Sequence, residues 1–386
     1  MMQALIPDRA LVDGALQPGV AVLIDGGRIA GIASADSLPA GAAQQRLPGT
    51  LVPGFIDTQV NGGGGVLFND EPTVAGIAAI GAAHRRFGTT GFLPTLISDD
   101  LDVIRRAVIA VDAAIEAGIP GVLGIHIEGP FLNVDRKGIH SADKIRPLDA
   151  EGIAALTGLR RGRTLVTLAP ERVAIADIEQ LVAAGVVVAA GHTNARYAQA
   201  KAAVAAGMRG VTHLFNAMSP LGSREPGMVG ASLDSDELVC GLIVDGHHVS
   251  PATLRLALRC KPASGFMLVT DAMPSVGSDA GDFMLQGRHI IVKDGACRSD
   301  DGTLAGSHLD MAAAVRNAVS MLGVSLATAV EMASASPAAL MGLSDSHGRI
   351  APGQAADLVL LDDAGQVAAT WIGGEEERVA PALAEA

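Results

Sequence analysis

"GFIDTQVNGGGG", residues 54–65, is an apolar run that ends in a turn of four glycines. A run of this length bounded by turn residues reads as a buried strand. Gln59 and Asn61 alternate near its end, so both side chains point to the same side. Taken back through "LVP", the strand spans 51–60. Seven runs of the same kind follow it: "TGFLPTLI" (90–97), "GVLGIHIEGP" (121–130), "TLVTLAP" (164–170), "GVVVAAGHT" (185–193), "GVTHLFN" (210–216), "LVCGLIVDGHH" (238–248) and "FMLVTDA" (266–272). Ala-rich helical stretches at 74–87, 100–117, 174–184, 195–207, 251–260, 309–322 and 326–341 fall between or after them. Eight β/α units over about 300 residues indicate a (β/α)8 TIM-type barrel, whose functional groups sit at the C-terminal ends of the strands.

The two ends of the chain differ from this middle. "GVAVLIDGGRIAGIA" (19–33) and "DLVLLDDAGQVAATWIGGEEE" (357–377) are short strand runs broken by Gly and Asp turns. A small β-sandwich built from both termini accounts for them. The expected division is 1–50 and 350–386 for the sandwich, with 51–349 for the barrel. The segment 281–307 breaks the β/α rhythm and is expected to form a β-hairpin insertion after strand eight.

Composition narrows the function classes. A formal charge of −13 offers no basic face for nucleic acid or an anionic membrane. One Trp and one Tyr leave little stacking surface for bases or polysaccharide. Cys240, Cys260 and Cys297 are odd in number and form no CxxC pair, so they read as buried small hydrophobes in a reducing compartment. The N-terminus lacks a secretory pattern, and no stretch approaches the roughly 18 apolar residues of a membrane span. A cytoplasmic location is the expectation.

Ionisable residues are out of place on apolar barrel strands, yet several fall at one rim. Glu128 ends strand three, His192 ends strand five, His213 lies on strand six, His248 follows strand seven and Asp271 ends strand eight. Singly, a strand-end His is an ordinary hydrogen-bonded group and an Asp a helix cap. Together, Glu128, His192 and His213 form the two-nitrogen, one-carboxylate set of a catalytic zinc site with one position open for water. His126, on the same strand as Glu128, reads as an interior neighbour rather than a ligand. Gln59 and Asn61 are neutral amides, poor zinc ligands but good partners for water or substrate. Strand four has no Lys to bridge a second ion, so one metal is expected.

The ordered blocks "PGFIDTQVNGGGG", "HIEGPFLN", "KGIH", "LAPE", "AGHTNA", "THLFNAM", "REPG", "DGHHV", "VTDAMP" and "GTLAGS" resemble the N-acetylglucosamine-6-phosphate deacetylase family of the amidohydrolase superfamily over nearly the whole chain. The resemblance implies that Glu128, His192 and His213 hold one divalent ion per subunit, zinc or iron. It implies that Asp271 is the catalytic acid/base and that His140, beside Ile139 in "KGIH", polarises the acetyl carbonyl. Asn216, Ala217, Arg224 and His248 would bind the sugar phosphate, and Leu304, Ala305 and Gly306 would line the sugar. Arg224 would reach in from the neighbouring subunit of a homodimer. Some family members carry a His pair where Gln59 and Asn61 stand, and this chain matches the one-metal branch. His247 competes with His248 for the phosphate contact, and alignment of the motif favours His248.

The expected reaction is hydrolysis of N-acetylglucosamine 6-phosphate to glucosamine 6-phosphate and acetate, in amino-sugar catabolism. The galactosamine epimer is indistinguishable at this level. Another amidohydrolase lacking the phosphate clamp is a second alternative, and a non-catalytic sugar-phosphate sensor a third.

Overall fold

The computed structural model describes residues 2–378; residue 1 and residues 379–386 of the expected terminal segments lie outside the described residues. The first run folds as two strands, not one. Ala43–Pro53 pairs with Gln3–Val12 and Leu358–Leu361, whereas Phe55–Val60 begins the barrel. Gly54 is the joint between them. A Cβ there would lie 2.0 Å from Thr90 Oγ1, so only glycine lets the chain cross from one sheet to the other.

Barrel strands Phe55–Val60, Thr89–Ile97, Gly124–Glu128, Arg163–Leu168, Val187–Ala190, Gly210–Val211, Val239–Leu242 and Phe266–Leu268 each pair in parallel with the next. The ring closes where Val60 bridges Ala272 in parallel. Every residue of Thr89–Ile97 is buried, as expected of a parallel strand covered on both faces. Leu93, Ile125, Val166, Val188, Leu242 and Leu268 join the helices in one continuous core. Thr73 caps the first barrel helix, Val74–Arg85, by accepting from the Gly76 N–H. The expected helix 326–341 is interrupted at Ser334, giving Leu326–Ala333 and Ala335–Leu340.

Strands from both chain ends share a second sheet. Gln3–Val12 lies between Val20–Asp25 and Ala43–Pro53, and Leu358–Leu361, Val367–Ile372 and Glu375–Arg378 extend it. Leu5, Val22, Leu51, Leu358 and Trp371 form an apolar cluster of their own there.

The segment 281–307 is richer than one hairpin. It forms a four-stranded antiparallel meander: Asp282–Leu285, Arg288–Lys293, Ala296–Ser299 and Leu304–Ser307. Leu285, Ile290, Cys297 and Ala305 bury its inner face against Ile97, Ile139 and Met273 at the barrel rim. Cys240 and Cys297 are buried, but Cys260 is exposed, against expectation. Among the described residues no helix is long and apolar enough to cross a membrane.

Candidate active site and metal centre

Two cavities compete for attention. The larger, about 540 Å³, lies where Leu11 and Pro53 face Ser334 and Arg349; its charged residues Asp13, Glu331 and Arg349 are exposed. The smaller, about 190 Å³, opens at the C-terminal rim of the barrel and is lined by Glu128, His140, His192, His213 and Asp271, all buried. Buried ionisable groups in a cleft mark a functional site far better than volume does.

The strands end earlier than their apolar runs suggest, and that is what releases the site residues. Strand five stops at Ala190 and strand six at Val211, leaving His192 and His213 in the following loops. Their backbones are left-handed, with φ of 48° and 33°, and so are those of Ala217 (51°) and Asp271 (54°). Non-glycine residues avoid this region, and departures concentrate at functional sites.

Glu128 Oε1 lies 3.1 Å from His192 Nε2 and 3.0 Å from His213 Nε2, and the two Nε2 atoms are 3.1 Å apart. Burial would raise the Glu128 carboxyl, but its hydrogen bonds to His192 and His213 hold it well below the usual carboxylate range. Burial would lower His213, but the bond to Glu128 together with the Glu128 and Asp271 charges shifts it up. The His192 Nδ1–H donates to the Arg136 carbonyl at 2.8 Å, which leaves the Nε2 lone pair free to ligate. Facing lone pairs on two imidazoles and a carboxylate fit a divalent cation. The residues present therefore suit one metal ion.

His140 also brings a ligand-type atom within 4.8 Å of Glu128 and His192, but its hydrogen bonds separate it from them. The Ser98 backbone N–H donates to His140 Nδ1 at 3.2 Å, and Ser98 Oγ lies 2.8 Å from the same atom. An N–H pointing at Nδ1 requires a lone pair there, so the neutral ring carries its proton on Nε2. Burial first, and then the nearby His192, shift its ionisation well below the ordinary histidine range, which keeps the ring neutral. His140 thus presents an N–H, whereas His192 presents a lone pair. His126 places its nitrogens on Thr167 at 2.7 Å and Thr95 at 3.4 Å, in the barrel interior.

Gln59 is buried and is not among the residues that line the cavity. Its Nε2 donates to Glu128 Oε2 and to Asp271 Oδ1, each at 3.1 Å. Asn61 lines the cavity, with Nδ2 committed to Asp271 and Oδ1 buried without a partner. Burial and the neighbouring Glu128 charge push the Asp271 carboxyl up to about 6.

The other expected residues divide in the same way. Ile139, Asn216, Ala217, His248, Leu304 and Gly306 line the cavity. Ala305 does not, because alternation along its strand turns it into the apolar cluster under the meander. Arg224 is exposed, outside the cavity, and makes no ion pair among the described residues. His248 Nδ1 pairs with Asp245 at 2.6 Å, while His247 is exposed and away from the cavity.

Three supports were missed from sequence. Asp245 holds His248, Ser98 holds His140, and Glu171 of "LAPE" accepts from Asn133, Thr193 and the Asn194 N–H beside His192. Only the Asp three residues before His248 left a local trace.

The sequence model of the amidohydrolase family matches residues 50–376. The chain is 44% identical over 376 residues to an N-acetylgalactosamine-6-phosphate deacetylase from a Shewanella species, covering 96% of this chain and 95% of that protein. It is 36% identical to the N-acetylglucosamine-6-phosphate deacetylase of Haemophilus influenzae, covering 92% of this chain and 94% of the other. The crystal structure of N-acetylglucosamine-6-phosphate deacetylase from Pasteurella multocida superimposes with a TM-score of 0.95 at 34% identity, covering 98% of this chain and 100% of that one.

Proposed function

The chain belongs to the amidohydrolase family, and from that footing we propose that it hydrolyses the acetamide of N-acetylglucosamine 6-phosphate or of its galacto epimer. The observation that carries this is the meeting of a ligand triad, a neutral imidazole donor and a raised carboxyl on one buried cavity. Deacetylase relatives of both epimer preferences support the substrate class.

Glu128, His192 and His213 would hold one divalent cation, zinc by the match of donor set to metal. Such an ion lowers the pKa of water and withdraws charge from a carbonyl oxygen. Asp271 accepts the proton of the attacking water. Gln59 and Asn61 both donate to its Oδ1, so Oδ2 is the oxygen without a protein partner among the described residues. The His140 Nε2–H donates to the acetyl oxygen as charge builds on it. The C–N bond then breaks, and Asp271 delivers the proton to the departing amine, leaving acetate and the amino-sugar phosphate.

His248, held in place by Asp245, and Arg224 from a second subunit would bind the phosphate and orient the amide. Within this scheme the catalytic barrel begins at Phe55, and the terminal sheet is built from strands within residues 3–53 and 358–378. Release of acetate from each sugar phosphate by purified protein tests the proposal. No release from either epimer by metal-loaded enzyme would overturn it.

A further inference from the structure

Gln286 occupies the tight turn between Asp282–Leu285 and Arg288–Lys293 and does not line the cavity. Gln286 and Gly287 are the two central residues of that turn, with φ of 47° and 80°. Turns of this kind are ordinarily filled by Asn, Asp or Gly, which tolerate left-handed backbone. A Gln is conformationally ill-suited there, yet both ends of its side chain are engaged. Its Oε1 accepts the Ser141 N–H at 3.3 Å, and its Nε2 donates to the Ser98 carbonyl at 2.8 Å. Ser98 is the residue whose N–H and hydroxyl meet His140 Nδ1, and Ser141 directly follows His140. The same hairpin buries Leu285 and Ile290 against Ile97 and Ile139, the residues immediately before Ser98 and His140.

We propose that Gln286 is a positioning residue for His140. From the tip of the meander it ties together the two segments that carry Ser98 and His140. That tie holds Ser98 against Nδ1 and keeps the Nε2–H presented to the cavity. The catalytic meaning of this lock rests on the function proposed above; the lock itself rests on the hydrogen bonds.

Gln286→Gly removes both side-chain bonds while relieving the left-handed backbone, so it leaves the turn intact. In the metal-loaded enzyme kcat should fall roughly tenfold, a part of the ~10²–10³ lost with a whole oxyanion donor. KM should stay within about twofold, because an interaction made mainly in the transition state is what weakens. In a His140→Asn background the same change should cost nothing further. Ring-nitrogen NMR of histidine-labelled protein should show His140 Nδ1 unprotonated in the parent and a mixed or broadened ring signal in Gln286→Gly. An unchanged ring signal overturns the lock, and an equal loss of kcat with and without His140 overturns its action through that ring. If the parent deacetylates neither sugar phosphate, the functional proposal fails, and the ring signal still decides the lock.

Discussion

Asn61 Nδ2 donates to Asp271 Oδ1 across 2.7 Å, and Gln59 reaches the same oxygen at 3.1 Å. Two amides thus fix one oxygen of the carboxylate that burial and Glu128 push up to about 6. A side chain so held can exchange a proton without losing its orientation.

Replacing Asp271 by Asn keeps an oxygen for those donors but removes the basic site. Turnover should fall roughly 10²–10⁴-fold, the usual reach of general acid–base catalysis. Bound metal and thermal stability should be retained. Near-full activity in this variant would remove Asp271 from the mechanism.

Metal content follows from the same pair of amides. Gln59 and Asn61 are neutral amides whose amino groups donate to Asp271 and Glu128; they are weak zinc ligands, so Glu128, His192 and His213 would form the ligand set. Protein dialysed against metal-free buffer should hold about one equivalent per chain, as three protein ligands and one open position require. Stripping the ion should abolish activity, and zinc should restore it. Two tight ions, both needed for turnover, would contradict the single site.

Arg224 is exposed and absent from the cavity of its own chain. Arg224→Ala should raise KM for the phosphorylated sugar and barely affect the unphosphorylated one. A hydrogen bond to a charged group contributes about 1.5–3 kcal/mol. Mixing this variant with Asp271→Asn should form heterodimers with one intact composite site and regain activity. Proven subunit exchange without regained activity would count against a shared site.

Asp57 gives a pH signature independent of catalysis. It is fully buried, accepts from the Gln59 N–H at 3.1 Å and from Thr270 at 2.5 Å, and burial pushes its carboxyl up to about 7. Because the folded state holds this proton more tightly, its contribution is complete below the unfolded value of about 3.9. It is then lost as pH rises towards about 7. Asp57→Asn has no proton to lose, so its urea midpoint should fall less with pH across that window. Parallel slopes for the two proteins would refute the assignment.

The sequence by itself determined the barrel, since eight apolar runs alternating with helical stretches leave few other architectures. It also determined which residue types reach the rim, because Glu128, His192, His213 and Asp271 are out of place on apolar strands. Tertiary structure decided how each of them acts. Whether a histidine ligates or donates depends on what meets its Nδ1. For His192 that is the carbonyl of Arg136, and for His140 it is Ser98, 42 positions away. Gln59 looked like a residue of the cavity wall until Glu128 and Asp271, 69 and 212 positions distant, took its N–H donors. Likewise Ala305 and Gln286 were assigned by which face of the meander met the barrel. Periodicity records which way a side chain points along its own element. Proton placement and hydrogen-bond partners are set by groups brought together only when distant segments close on one another.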